Sequence, residues 1–186
     1  EAYLDLTCDR SYELAAHHAA TIKQVIKSQV GLTCSVGIAP SRIYAKMASE
    51  QQKPDGRTVV SPDALESFLN PLPVQSIPGI GKKSAQVLIN AGIQTIGDIA
   101  RCDIQTLQDM FGSHAVRLYQ IATGQDREGL RKSGKRRSIS REHTFLRDST
   151  SPDEILGSMH TMILSLCQEL EEQNIYSRTI GIRIRY

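Results

Sequence analysis

The segment Ile77-Pro78-Gly79-Ile80-Gly81-Lys82-Lys83 constrains the fold of this chain more than any other stretch. Its proline fixes the backbone at the entrance to a turn, while Gly79 and Gly81 permit backbone angles and close approaches that a Cβ atom would forbid. An amphipathic pattern follows at once and predicts a helix that begins at Lys82. The free backbone N–H groups at the start of such a helix can bind an anion, and Lys82 and Lys83 add positive charge at the same place.

This order of residues resembles the helix-hairpin-helix motif, and the following segment 92–99, Gly-Ile-Gln-Thr-Ile-Gly-Asp-Ile, matches what commonly follows that motif. The resemblance implies binding of a DNA phosphate without reading a base. The alternative is a tight turn between two helices, in which glycine serves the geometry and lysine the solubility. The predicted DNA-binding residues here are Gly79, Gly81, Lys82 and Lys83.

Upstream of the hairpin, residues 1–70 alternate between β-rich and helical patterns. Alternating hydrophobicity and β-branched residues predict the strands, and apolar residues at helical spacing predict the helices. This order predicts part of an α/β domain. The predicted strands are 2–8, 32–39 and 57–60; the predicted helices are 9–29, 41–52 with Ser41 as N-cap, and one that starts at 61–63.

Downstream, three further regions differ in character. Residues 71–125 carry short helical patterns punctuated by glycine, which predicts a small all-α domain, and residues 126–137 read as a basic linker. Residues 138–186 then predict a strand at 138–145, a long amphipathic helix and a closing strand at 177–186, which is part of a βαβ domain. Together with residues 1–70, the predicted fold class is α+β with several domains.

Two local signals define the βαβ region. Ser151-Pro152-Asp153-Glu154 predicts a capping box for a helix that runs to about Gln173. In the closing segment 177–186 the period is two, so we expect its isoleucines and Tyr186 to share the face that packs on this helix. Arg183 and Arg185 would then lie on the opposite, polar face.

The distribution of charge, not its total, indicates an anionic partner. The net charge is only +2, but residues 127–141 hold seven basic residues and one acidic residue, a net charge of +6. Such a block is typical of a disordered tail or of contact with an anionic partner. We expect it to continue onto the polar face of the closing strand as one positive surface.

Composition excludes several other classes of protein. No apolar run approaches the roughly 20 residues that span a bilayer. The four cysteines, at positions 8, 34, 102 and 167, form no C-x-x-C pair, which argues against a zinc site and favours packed thiols in a reducing compartment.

Beyond the hairpin, several segments resemble the Y-family translesion DNA polymerases of the polymerase IV type. Residues 1–7, Glu-Ala-Tyr-Leu-Asp-Leu-Thr, are similar to the end of a motif that carries metal-binding carboxylates. Similar family signatures occur in the middle and at the end of the chain, in the family's order of palm, thumb, linker and little finger. These further signatures are Ser35–Ala39, Ala45–Ser49, Lys53–Gly56, Arg137–Glu142 with Thr144 and Phe145, and Thr179–Tyr186.

The resemblance implies an error-prone, DNA-directed DNA polymerase, which joins nucleotides by phosphoryl transfer with two Mg²⁺ ions. Glu1 would be a catalytic, metal-binding carboxylate, and Lys53 would reach the incoming triphosphate; Lys46 is open between a structural and a functional role. Implied partners are primer–template DNA, deoxynucleoside triphosphates and, through a segment outside this chain, a sliding clamp. We expect a cytoplasmic, nucleoid-associated location in a prokaryote and a nuclear one in a eukaryote. Besides the hairpin, the implied DNA-binding residues are Arg136, Arg137, Ser140, Arg141, Arg183 and Arg185.

The chain also departs from the family pattern. The family's two metal-binding aspartates and its fingers are not in this sequence, and Ser41-Arg42 replace a common Asn-Lys pair. We therefore expect a partial palm at 1–70, a thumb at 71–125 and a partial little finger at 138–186, which bind DNA but do not copy it alone. The alternatives are a relative that has lost catalysis and a helix-hairpin-helix scaffold.

Overall fold

The computed structural model describes residues 1–9, 11–130 and 138–185. The chain forms two units, residues 1–131 and 132–186. Among the described residues, helices dominate and a small sheet accompanies them, so the predicted α+β class is confirmed. In the same ranges, no helix combines the length and apolar character needed to cross a membrane.

The first unit contains seven helices and a two-stranded parallel sheet in its described part. Strand β1 is Val36–Ile38 and strand β2 is Arg57–Val59. Short 3₁₀ turns occur at Thr7–Asp9, Pro62–Ala64 and Val74–Ser76. The helices are α1 Tyr12–Val30, α2 Arg42–Glu50, α3 Leu65–Leu69, α4 Lys82–Asn90, α5 Ile96–Arg101, α6 Ile104–Phe111 and α7 His114–Ala122.

Helix α2 is the crossover between the two parallel strands, and it packs directly on β1. The strands pair with Val36 opposite Arg57 and Ile38 opposite Val59. A Cβ atom on Gly37 would lie 2.0 Å from the Ala45 carbonyl oxygen, so only glycine allows this approach. The sheet therefore fixes where the residues of α2 lie.

The predicted strand at residues 2–8 is wrong, and the other two strands are shorter than predicted. Residues 1–6 adopt no regular structure and 7–9 form a 3₁₀ turn. A strand needs a neighbouring backbone for its hydrogen bonds, and within the described residues β1 pairs only with β2. These segments have the composition of strands, but most of their residues have no neighbouring strand to pair with in the described part of the chain.

One apolar core joins α2 to the helices that follow the hairpin. Tyr44 and Met47 of α2 are buried in the same cluster as Leu118 and Ile121 of α7. The Tyr44 hydroxyl donates a hydrogen bond to the Ile121 carbonyl oxygen at 3.1 Å. Residues from the predicted palm and thumb regions therefore share a core within the first unit.

A buried carboxylate, Asp126, ties this core to the start of the basic linker. Its side chain is fully buried, accepts a hydrogen bond from the Ser41 hydroxyl and pairs with Arg117. Its backbone N–H donates to the Tyr44 hydroxyl at 3.1 Å. Ser41 stands at the N-cap position of α2, but its hydroxyl bonds Asp126 and does not cap the helix. We call Ser41, Tyr44, Arg117 and Asp126 the Asp126 cluster.

Helix α5 begins with a reciprocal capping box. The Thr95 hydroxyl accepts from the Asp98 N–H at 3.1 Å, and the Asp98 carboxylate accepts from the Thr95 N–H at 2.8 Å and the Gln94 N–H at 3.1 Å. Arg101 adds an ion pair at 2.7 Å. These contacts, the Thr95 N–H above all, lower the pKa of Asp98 from 3.8 to about 2.

This shift predicts a pH-dependent contribution of Asp98 to stability. Because the folded-state pKa lies below the unfolded one, the contribution is complete above the unfolded pKa and is lost as the pH falls through the folded pKa. We expect Asp98→Ala to cost about 1 kcal/mol at pH 6, as loss of a helix cap does. In urea unfolding, the difference from wild type should shrink as the pH falls from about 4 and should be lost only below the folded-state pKa of about 2. A difference that persists unchanged to pH 2 would contradict this assignment.

The second unit contains helix α8, Pro152–Glu172, and no strand in its described part. The predicted strands at 138–145 and 177–186 are therefore wrong for all residues that are described. Ile180, Ile182 and Ile184 are exposed, so the predicted packing of an isoleucine face on α8 is wrong too. Two lone strands are marginal in water, and alternation alone cannot supply the pairing partners that a sheet requires.

The capping box of α8 is half formed. The Ser151 hydroxyl accepts from the Glu154 N–H at 3.5 Å, as predicted, and α8 ends within a residue of the predicted Gln173. The Glu154 carboxylate instead accepts from the Ser149 hydroxyl.

Candidate functional site

The hairpin turn has the geometry that its glycine and proline predict. The Ile80 N–H donates to the Ile77 carbonyl oxygen at 3.0 Å, which closes a four-residue turn with Pro78 second and Gly79 third. Gly79 has φ +98°, the left-handed value that a type II turn requires at this position. Gly81 differs, because its φ of −82° is open to any residue and no atom lies within 4 Å of a Cβ placed there.

The N-terminus of helix α4 carries positive charge and lacks a side-chain cap among the described residues, which destabilises the helix alone but favours binding of an anion. Lys82 and Lys83 lie at its N-terminus, where the helix dipole is positive, and its first turn contains no acidic residue. Among the described residues, no side chain caps this end. The uncapped N–H groups and the two lysines fit a phosphate at this position.

Glu1 does not stand free on the surface. Its carboxylate accepts hydrogen bonds from the Lys46 ammonium and the Tyr3 hydroxyl. These contacts, first the one with Lys46, hold the pKa of Glu1 below its usual value. The structure thus brings Lys46, whose role the sequence left open, onto the predicted catalytic carboxylate.

Arg42 connects this group to the start of the linker. Its guanidinium lies 5.7 Å from the centre of the Tyr3 ring and 3.8 Å from the Glu128 carboxylate. Glu128 also pairs with Arg117 at 2.8 Å. Ser41 and Arg42, the pair that departs from the family pattern, therefore both contact residues 126–128.

Lys53 lies just beyond α2 and pairs with Glu50 at 2.7 Å. Both side chains are more than half exposed, so this pair is worth about 0–1 kcal/mol and Lys53 can exchange it for another anion. Glu50 is four residues after Lys46, which places both on one face of α2.

A metal site does not assemble from the residues that the structure describes. No three histidine, cysteine, aspartate or glutamate residues cluster in those ranges. Both oxygens of Glu1 are engaged by Lys46 and Tyr3. One carboxylate cannot hold two Mg²⁺ ions, which need several hard oxygen ligands.

The structure describes only some of the DNA-binding residues that were predicted around and within the second unit. Arg141 pairs with Glu169 at 2.5 Å and donates to the Ser165 hydroxyl at 3.1 Å. Ser140, Arg183 and Arg185 are exposed and belong to no strand, while Arg136 and Arg137 lie outside the described residues. Their contacts with DNA stay predictions.

Sequence reasoning missed three residues of interest in the first unit. Asp126 was placed in the linker, yet it is buried. Gln75 and Ser76 were given no role, yet both line a hollow beside Lys46. No periodic signal could have found them, because all three lie outside the regular α-helices and strands.

Three sequence models of one family match this chain. The impB/mucB/samB family model matches residues 1–50, the IMS family HHH motif matches residues 62–93, and the impB/mucB/samB family C-terminal domain matches residues 136–186. Together they cover more than half of the chain. A scaffold built on the hairpin alone would not explain the first and third matches.

Named relatives agree with these matches. A protein called DNA polymerase IV from Methanoculleus marisnigri is 42% identical over all of this chain and 52% of its own length. A Y-family DNA polymerase chimera of Dbh and Dpo4 has a TM-score of 0.78 and 30% identity over 89% of this chain and 48% of its own. An insertion ternary complex of Dbh DNA polymerase has a TM-score of 0.64 and 34% identity over 68% and 38%. The chain thus spans about half the length of the curated relatives it matches.

Proposed function

Because this chain belongs to the Y family of DNA polymerases, we propose that it works within an error-prone polymerase that copies damaged template DNA. Its substrates would be primer–template DNA and deoxynucleoside triphosphates. The similarity to an insertion ternary complex of Dbh DNA polymerase supports both substrates. The third proposed partner is a sliding clamp, which would bind a segment of the protein outside this chain. The protein would act in the compartment that holds the chromosome.

The observation that supports this proposal most is that the first unit carries both a candidate phosphate site, at the start of α4, and the candidate reaction site around Glu1. The uncapped start of α4 suits a DNA phosphate, and α2 carries Lys46 beside Glu1 with Lys53 just beyond. The Asp126 cluster and the apolar core hold α2 against α7. A polymerase needs this combination, because it must hold a strand at a fixed distance from the reacting groups.

The proposed roles follow from the charges. Nucleotidyl transfer depends on position and charge neutralisation more than on covalent help from the protein. The hairpin would hold the strand without reading bases, and Lys53 would neutralise the triphosphate. Divalent metal ions, which we take to be two Mg²⁺, would supply the remaining neutralisation and would require carboxylates in addition to Glu1.

Lys53→Ala in the intact polymerase tests the nucleotide site. We expect the nucleotide Kd to rise about tenfold, which corresponds to one lost charge-assisted contact, and the DNA Kd to change little. Single-turnover primer extension opposite an undamaged base and opposite an abasic site measures the nucleotide affinity; fluorescence anisotropy measures the DNA affinity.

Glu50→Gln is the matched control for this experiment. It removes the partner of Lys53 and keeps the cation, so nucleotide affinity should be retained or improved. Loss of DNA affinity with unchanged nucleotide affinity in Lys53→Ala would contradict the role. An intact protein that extends no primer on either template would contradict the proposed function.

A further inference from the structure

A hollow of about 380 Å³ separates α2 from the segment that enters the hairpin. Lys46, Met47, Glu50 and Gln51 line one side; Gln75, Ser76 and Pro78 line the other. Its volume is at the lower end of the range for small-ligand sites, about 300–1,000 Å³. The hollow lies entirely within the first unit.

The polar groups of the hollow suit a phosphodiester. Lys46 supplies a cation, and Gln75 and Ser76 supply an amide and a hydroxyl, groups that commonly contact DNA phosphates. Within the described part of the chain, the Gln75 and Ser76 side chains form no hydrogen bond with another residue, so both can serve a ligand. The acidic lining residue, Glu50, is paired with Lys53 at 2.7 Å.

The hollow is continuous with the two sites already described. Pro78 lines it and is also the second residue of the hairpin turn, while Lys46 reaches Glu1. Pro78 and Gly81 are three residues apart, a span of at most about 11 Å. The hollow therefore lies close enough to the hairpin for both to contact one strand.

We propose that this hollow binds a backbone phosphate of the strand that the hairpin holds, close to the hairpin phosphate and toward the reacting 3′ end. Gln75 and Ser76 are its neutral donors and Lys46 is its cation, which Glu1 and the phosphate share. This inference rests on the proposed function. It adds a strand contact that connects the hairpin to the reaction site.

Gln75→Glu in the 186-residue chain places a negative charge against the proposed phosphate. Its affinity for a labelled duplex with a recessed 3′ end should fall about tenfold, and its salt slope should become shallower by about one contact. Gln105→Glu makes the same chemical change on the exposed surface of α6 and should leave binding unchanged. Circular dichroism establishes that both variants fold.

Neutral methylphosphonate linkages locate the contact. One of them, near the 3′ end of the recessed strand, should weaken wild-type binding, and Ser76→Ala should reduce the penalty at that linkage alone. If Gln75→Glu binds the duplex like wild type, the strand contact is wrong. If it instead weakens binding of a triphosphate analogue, the hollow takes a nucleotide phosphate. A wild-type chain without affinity for the duplex would also rule out the strand contact, whereas the proposed function is overturned only by an intact protein that extends no primer.

Discussion

Asp126→Ala is expected to lower the free energy of unfolding of the first unit by about 3 kcal/mol. The carboxylate is fully buried, and its removal leaves Ser41 without its acceptor and Arg117 without a buried partner. Breaking a buried ion pair from one side costs about 3–5 kcal/mol. The lower end applies here, because Arg117 is partly exposed and keeps Glu128 as a partner.

Urea unfolding combined with hydrogen exchange of the α2 and α7 peptides measures this loss within the first unit. Asp109→Ala is the matched control, since Asp109 is exposed on α6 and, among the described residues, its side chain accepts a hydrogen bond only from Gln105, at 3.1 Å. The control should lie within about 0.5 kcal/mol of wild type, as is usual for surface changes. An Asp126→Ala chain as stable as the control would show that the Asp126 cluster does not hold α2 to α7.

Gly79→Val is expected to weaken duplex binding at least tenfold. A β-branched residue at φ +98° is strained, at a cost on the order of 1–3 kcal/mol, and the turn must shift to relieve it. That shift would misalign the N–H groups at the start of α4 with the DNA phosphate. Fluorescence anisotropy measures the affinity, and circular dichroism reports whether the variant folds.

Gly81→Ala separates strain from contact with DNA. Its backbone angles suit alanine and the position is open, so the free energy of unfolding should not fall. The added Cβ would nevertheless meet a phosphate that approaches the first turn of α4, and affinity should fall several-fold. If Gly81→Ala binds duplex like wild type, and a folded Gly79→Val does too, the hairpin is only a turn between helices.

The hairpin shows what local sequence can determine. A positive φ at Gly79 and a helix that starts at Lys82 follow from residue types within seven positions. The helical stripes of α1, α2 and α8 were likewise visible, because the period of a helix is set by its own backbone hydrogen bonds. The family was also visible in the sequence, because each of its signatures is a short run of residues and the signatures follow one another in the family's order.

The rest depended on contacts between distant segments. The alternation in 2–8 and 177–186 predicted strands, but a strand needs a neighbouring backbone, and within the described residues only β1 and β2 have one. The burial of Asp126 depended on Ser41, 85 positions away, and the Lys46–Glu1 pair joins residues 45 apart. The sequence by itself determined the turn, the helices and the family. Tertiary packing decided which strands form, which carboxylate is buried and which lysine meets Glu1, because pairing and desolvation act only after the chain has folded.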